Sequence, residues 1–202
     1  MSHPKIASAD HEIHDLIQQR WSPRAFDESR EVARGELLRL FEAARWAPSS
    51  GNEQPWAFVV LDRGHDRAAH ATLLATLTER NQAWANAAPV LVLVAVRLAS
   101  DDDHRPAPAP WYDAGQAVAF LTLQATAQDL SIRQMAGFDR ARARAVCGVP
   151  ASFEPAVVMA IGYAGDPATL ALDRHRQAER QPRARRPMQE FVFEARWGQG
   201  IA

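Results

Sequence analysis

An uninterrupted apolar run at residues 89–96 constrains the fold of this chain more than any other feature. Neighbouring side chains of a strand point to opposite faces, so a strand that is apolar throughout must be covered on both faces. Residues 155–163 form a second such run, which Gly162 and Gly165 close. We therefore predict a central sheet of buried strands with helices packed against it, in an α+β sandwich.

Hydrophobic spacing places further elements around these two strands. Apolar residues recur every three or four positions in segments 35–47 and 66–80, and segment 113–130 is rich in Ala, Leu and Val, so all three are predicted as helices. Residues 56–61 form a short apolar run and residues 190–197 alternate between polar and apolar side chains. Both segments are predicted as strands.

The composition suits a single domain over residues 1–202 and narrows the choice of partners. A net charge of −1 gives no general attraction to nucleic acid or to anionic membranes. The apolar runs are too short to cross a bilayer, and no signal peptide is evident, so we expect a cytoplasmic protein. Residues 100–110, with three aspartates and several prolines, are predicted as a solvated loop.

Segment 20–26, Arg-Trp-Ser-Pro-Arg-Ala-Phe, is the first candidate for a binding function. It places two guanidinium groups and a hydroxyl within five residues, and arginine forks match phosphate oxygens in a bidentate way. Taken alone, the segment also fits a helix end with surface salt bridges.

Segment 47–56, Ala-Pro-Ser-Ser-Gly-Asn-Glu-Gln-Pro-Trp, is the second candidate. Proline stops a helix there, and a tight turn then offers hydroxyls, amides and free backbone N–H groups that could hold the polar edge of a flat heterocycle. An ordinary turn would use the same Pro, Ser, Gly and Asn residues. The pair of amides, Asn52 and Gln54, is the part that a turn does not need.

Together the two segments resemble the nitroreductase family, in which Arg-x-Ser-x-Arg/Lys is followed by Ala-Pro-Ser-Ser-x-Asn-x-Gln-Pro-Trp. Further matches follow in the same order over nearly the whole chain from residue 15. They are Asn81, Asp-Ala-Gly at 113–115, Gln-Met-Ala-Gly-Phe-Asp at 134–139, Ala-Ile-Gly-Tyr at 160–163 and Arg-Ala-Arg-Arg-Pro at 183–187.

The resemblance implies a fold, an assembly and a cofactor. The expected fold is a three-layer α/β/α sandwich around a mostly antiparallel sheet, in an intertwined homodimer with FMN at the subunit interface. The C-terminal segment, about residues 180–202, is expected to pack on the partner subunit. The residues that match the family's FMN site are Arg20, Trp21, Ser22, Arg24, Pro48, Ser49, Ser50, Asn52, Asn81, Met135, Ala136, Gly137, Arg183 and Arg185.

The resemblance also implies a role for each of these groups. The residues expected to bind the FMN phosphate and ribityl chain are Arg20, Ser22, Arg183 and Arg185. Arg24 is expected to be a cation beside the flavin ring. The loop at Pro48, Ser49, Ser50 and Asn52 reaches the flavin from the other subunit. Asn81 contacts the ring, and the segment at Met135, Ala136 and Gly137 offers backbone groups near its reactive edge.

The implied activity is hydride transfer from NAD(P)H through FMN to a small electron-poor acceptor such as a nitroaromatic or a quinone, by ping-pong kinetics. Because the chemistry belongs to the cofactor, no side chain is assigned as catalytic. Some family members carry Lys where this chain has Trp84, so Arg24 would have to supply the missing charge. Two alternatives stay open: a protein that stores or senses flavin, and the same fold with other reductive chemistry such as dehalogenation or enone reduction.

Three other patterns are given ordinary structural interpretations. His11 and His14 have helical spacing but no further ligand cluster, so a solvated helix is preferred to a metal site. The late run of arginines lacks interleaved aromatic residues, so no nucleic-acid partner is expected. The single cysteine, Cys147, excludes an internal disulfide and is expected to be a small buried hydrophobic residue rather than a nucleophile.

Overall fold

The structure, a computed structural model, describes residues 5–99 and 107–201. The strands are β1 (Trp56–Asp62), β2 (Val90–Arg97), β3 (Leu130–Met135) and β4 (Phe153–Tyr163). The α-helices are α1 (Asp15–Gln19), α2 (Arg34–Arg45), α3 (Arg67–Leu74), α4 (Glu79–Ala85), α5 (Pro110–Ala127), α6 (Arg140–Cys147) and α7 (Asp173–Arg180). Residues 100–106 of the predicted loop lie outside the described residues, and Pro110 already opens α5.

The strands form one antiparallel sheet in the order β1-β2-β4-β3. Strand β2 is buried at every position because strands flank it on both sides and both of its faces are covered. Leu91 and Leu93 pack in a cluster with residues of α3, α4 and α6. Val92 and Val94 pack on the opposite face, with residues of α2 and α5. The predicted α+β class and antiparallel sheet are confirmed, and the intertwined three-layer dimer stays a prediction.

The predicted helix over residues 66–80 is wrong, because the structure has two helices there. Helix α3 ends at Leu74, and α4 begins at Glu79. Between them Leu77 forms a β-bridge with Phe138, and the Thr78 amide donates to the Gly137 carbonyl at 3.0 Å. These contacts with a distant segment replace the hydrogen bonds that a continuous helix would make.

The predicted strand over residues 190–197 is also wrong. A 3₁₀-helix covers Met188–Glu190, turns follow, and Phe193 forms only an isolated bridge with Gly200. The alternating aromatic residues pack on each other instead, with the rings of Phe193 and Trp197 centred 4.8 Å apart.

Three elements were missed, and both ends of the helix predicted over residues 113–130 were misplaced. The missed elements are β3, α6 and α7. The helix predicted over residues 113–130 begins earlier, since Pro110 occupies its first turn, where a missing N–H costs nothing. It ends at Ala127, because Asp129 adopts a φ of 58° and turns the chain into β3.

Of the described helices, none is long and apolar enough to cross a membrane. The cytoplasmic location, the single-domain assignment and the packing of residues 180–202 on a partner stay predictions.

Candidate functional site

The last residues of segment 20–26 lie antiparallel beside the end of β4. Phe26 bridges Ala164, and the Gly165 amide donates to the Ala25 carbonyl at 2.9 Å. Trp21, Pro23 and Ala25 are buried, whereas the residues between them are half-exposed. The buried side chains therefore anchor the segment on one side, and the other side presents Arg20, Ser22 and Arg24.

Arg20 and Arg183 lie together at the start of this segment. Arg20 Nη1 donates to Ser22 Oγ at 3.1 Å, and Arg183 Nη1 donates to the Arg20 carbonyl at 2.5 Å. Burial lowers the pKa of both guanidinium groups, and the neighbouring charge of Arg185 lowers the pKa of both further. The structure thus brings three predicted cations within electrostatic reach of one another.

A cavity of about 330 Å³ opens over these arginines. Its lining includes Arg20, Arg183, Arg185 and Arg186, with Asp10 as the acidic residue and apolar side chains that include Ile13, Ile17, Met188 and Phe191. The Nε atom of Arg183 is buried and has no hydrogen-bond partner within the described residues. An excess of guanidinium groups and an orphaned donor beside a cavity are what a phosphate ester would satisfy.

Asn81 and Gly137 meet at a second part of the site. Asn81 Nδ2 donates to the Gly137 carbonyl at 3.0 Å, which also accepts from the Thr78 amide at 3.0 Å. A Cβ atom at Gly137 would lie 3.0 Å from Asn81 Nδ2, a tight contact that would push the Asn81 amide away by a few tenths of an ångström. Met135 is buried, whereas Ala136 is exposed and leaves its backbone accessible. The structure therefore joins the predicted ring contact and the predicted backbone segment.

Arg24 is held by Glu179, which the sequence did not indicate. The Arg24 amide donates to Glu179 Oε1 at 3.1 Å, and the Arg24 guanidinium lies 3.7 Å from the same atom. Glu179 is 1% exposed, and this burial raises its pKa, against the opposing effect of the Arg24 hydrogen bond and of nearby cations. Glu179 lies on α7, which was not predicted, so no pattern in the sequence indicated that this glutamate would be buried beside Arg24.

Arg133 is the second residue that the sequence analysis missed. Its Nη1 donates to the Ser22 carbonyl, and its Cζ lies 5.4 Å from the centre of the Trp84 ring. Trp84 is 2% exposed and stacks on Phe26 at 6.3 Å, so it is a core residue that carries a cation on one face. The signal was the position of Arg133 two residues before Met135 on a strand, which places both side chains on one face.

The loop at residues 48–52 is tied to α5. The Ser50 amide donates to Asp113 Oδ2 at 3.0 Å, and Gln54 Nε2 donates to the Asn52 carbonyl at 3.1 Å. Asn52 and Gln54 have φ values of 58° and 45°, in the left-handed region that non-glycine residues rarely adopt. The amide pair thus contributes to a strained loop, which is typical of functional sites.

This loop does not meet the arginine groups within one chain. It precedes Trp56, which pairs with Val96 on the β1 edge of the sheet. Arg133 lies on the opposite edge and pairs with Ala160, which is opposite Leu91. The corners of the sheet at Trp56 and Arg133 are five residues apart along the strands and three strand spacings apart across them. The diagonal between them is roughly 20 Å. The structure therefore keeps these two groups of predicted residues apart within one chain.

The predicted helix at His11 and His14 is wrong, because α1 begins at Asp15 and His14 caps it through Nδ1 at 3.2 Å from the Leu16 amide. No cluster of metal-ligating side chains is present among the described residues. Cys147 is only half-buried and packs at the edge of the core, where burial raises the pKa of its thiol.

Comparison with known proteins identifies the family that shares this fold. The model of the nitroreductase family matches residues 17–163. A 15.4 kDa protein in the ask 5′ region of Mycolicibacterium smegmatis is 38% identical over 146 residues, covering 70% of this chain and 97% of that protein. The major NAD(P)H-flavin oxidoreductase of Aliivibrio fischeri is 32% identical over 91 residues, covering 45% of this chain and 41% of that enzyme. A crystal structure of an oxidoreductase containing FMN superposes with a TM-score of 0.88 at 30% identity and covers 98% of each chain.

Proposed function

The chain belongs to the nitroreductase family, and from this premise we propose that it is an FMN-dependent oxidoreductase. It takes hydride from NADH or NADPH and delivers it to a small electron-poor acceptor, such as a nitroaromatic or a quinone. The observation that carries the proposal is the cavity over Arg20 and Arg183, where an orphaned guanidinium N–H is buried without a partner among the described residues. The similarity to an FMN-containing oxidoreductase supports the choice of cofactor.

The residues present fit both the phosphate end and the ring end of FMN. Arg20, Arg183 and Arg185 would hold the phosphate through charge-assisted hydrogen bonds, and Ser22 would keep Arg20 in place. Arg24, on the side of segment 20–26 that is not used for anchoring, would lie beside the ring. Asn81 and the backbone near Gly137, which are hydrogen-bonded to each other, would contact the ring.

Bound FMN supplies the redox chemistry by accepting hydride from a nicotinamide and passing it to an acceptor. The protein's part is to orient the cofactor, to keep one face open to both substrates in turn, and to offset negative charge with Arg24. A single open face gives ping-pong kinetics and needs no side-chain acid or base. The name of the Aliivibrio fischeri relative supports a nicotinamide as the donor.

The complete site is proposed to form in a homodimer. The corner of the sheet that the loop at residues 48–52 precedes lies about one sheet diagonal, roughly 20 Å, from Arg133, so the loop is proposed to contribute to the site of a second copy. The surface of α5 next to this loop carries exposed aromatic residues: Tyr112 is 72% exposed and Trp111 is 48% exposed. Trp197 in the C-terminal segment is 91% exposed, in accord with its proposed packing on the partner.

The test is the visible spectrum of the purified protein, reconstituted with FMN and treated with NADPH and then NADH without oxygen. We expect flavin absorption bands that bleach with one or both nicotinamides and return on addition of a nitroaromatic or a quinone. Flavin that binds but stays oxidised would favour a storage or sensing role. A protein that binds no FMN would contradict the proposal altogether.

A further inference from the structure

Arg133 is a charged side chain on the face of β3 that packs against the core. Along β3, Arg133 shares a face with Met135, which packs in the same cluster as Trp84 and Phe26. Packing a guanidinium group against an apolar face removes part of its hydration, and this costs free energy unless hydrogen bonds or an opposite charge compensate for it.

Two contacts fix the Arg133 guanidinium beside the cofactor-binding segment. Its Nη1 donates to the carbonyl of Ser22, between Arg20 and Arg24. The face of the buried Trp84 ring lies 5.4 Å from its Cζ atom, within the range of a cation–π interaction. The side chain is therefore positioned from two sides, by a backbone acceptor and by an aromatic surface.

The charges around Arg133 are predominantly positive. Burial first, and then the charges of Arg24 and Arg80, lower its pKa to about 10, against the opposing effect of Glu179. Glu179 also interacts with Lys5, and burial lowers the pKa of that lysine. At neutral pH the Arg133 guanidinium keeps its proton. The single carboxylate of Glu179 therefore lies among several positive charges. This surplus of positive charge would be stabilised by an anion at the site.

We propose that Arg133 is a second guanidinium beside the flavin ring, in addition to Arg24, and stabilises the negative charge that FMN acquires on reduction. Trp84 serves as its platform and does not contact the cofactor. The cation expected beside the ring is then present in this chain, but on β3 rather than on α4. This inference rests on the proposed function, since it requires FMN to bind.

The test is the midpoint potential of bound FMN, measured anaerobically against a reference dye. In Arg133→Gln we expect at least a tenfold loss of affinity for reduced relative to oxidised FMN, which corresponds to a fall of about 30 mV for a two-electron couple. Arg133→Lys should keep most of the wild-type potential, because it keeps the charge. The control is Arg39→Gln, which removes one positive charge from α2, on the opposite face of the sheet.

Two further variants guard against a folding defect. Arg133→Met keeps an unbranched apolar stem on Trp84 without the charge, and should lower the potential as Arg133→Gln does. Glu179→Gln leaves Arg133 in place and removes the opposing negative charge, so it should raise the potential.

An unchanged potential in folded Arg133→Gln and Arg133→Met, or in Glu179→Gln, would overturn the proposal. A wild-type protein that binds no FMN would instead contradict the proposed function itself. The two failures are therefore distinguishable.

Discussion

The backbone amide of Arg24 donates a 3.1 Å hydrogen bond to Oε1 of Glu179, which lies 155 residues further along the chain. The bond joins segment 20–26 to α7, and Glu179 is buried where no solvent could take its place. The position of Arg24 thus depends on a helix that contributes no residue to the family motifs.

Glu179→Ala should destabilise the fold. The Arg24 amide would lose its acceptor, and a hydrogen bond to a charged group contributes about 1.5–3 kcal/mol. Glu179→Gln keeps an oxygen at the same place and should cost less. Urea unfolding of both variants measures the difference, and equal stabilities for Glu179→Ala and the wild type would contradict this role.

Gly165→Ala should disturb both the fold and the site. A Cβ atom there would lie 2.6 Å from the backbone of Phe26, so segment 20–26 would have to move away from β4. We expect a loss of about 1–3 kcal/mol in unfolding free energy, in the range of overpacked cores, and weaker FMN binding.

Gly115→Ala is the matched control for that substitution. Gly115 lies within α5, and a Cβ atom there would meet nothing within 4 Å. This substitution should stabilise the helix by about 0.5–1 kcal/mol. If both glycine variants behaved alike in thermal unfolding, the close approach at Gly165 would not matter.

Two inactive variants should restore activity when they are mixed. Arg20→Ala removes one half of the proposed site, and Asn52→Ala weakens the half that comes from the other subunit. After dissociation and reassociation, a mixed dimer contains one site with both halves intact, so about a quarter of the wild-type activity should return. Activity that stays at the level of the unmixed variants would argue against a site shared between chains.

His175 should make stability depend on pH. It is 3% exposed, its Nε2 has no hydrogen-bond partner within the described chain, and burial lowers its pKa, as do the charges of Arg24 and Arg174. A depressed pKa means that the unfolded chain takes up a proton more readily, so stability is present above the ordinary histidine pKa of about 6.5 and is lost as the pH falls.

The check is the free energy of unfolding between about pH 7.5 and pH 5. The wild type should lose more stability over this range than His175→Gln. His65→Gln, at an exposed position in the turn after β1, is the control and should follow the wild type. A wild type and a His175→Gln variant with parallel pH profiles would contradict the assignment.

The sheet could be predicted from the sequence because its signal is local. The apolar runs at residues 89–96 and 155–163 predict buried strands, and they lie in β2 and β4. The break between α3 and α4 could not be predicted, because it depends on contacts of Leu77 and Thr78 with residues about sixty positions away.

The same distinction applies to the site. Arg20, Ser22, Arg183 and Asn81 were named from motifs, and the structure gives each a partner within the predicted groups. Glu179 and Arg133 belong to no motif, and their roles arise from burial and from charges that only the folded chain brings together. The resemblance could therefore name candidate cofactor contacts, but it gave no indication of Glu179 or Arg133.

The central claim is that Arg20 and Arg183 hold the phosphate of FMN. Titration calorimetry with FMN and with riboflavin, which lacks the phosphate, tests it most directly. Two charge-assisted hydrogen bonds of about 1.5–3 kcal/mol each should make FMN bind at least about 100-fold more tightly than riboflavin. In Arg20→Ala this preference should shrink by about tenfold or more, while riboflavin affinity stays unchanged. A wild-type protein that binds the two flavins equally, or an Arg20→Ala variant that keeps the full preference for FMN, would contradict the account.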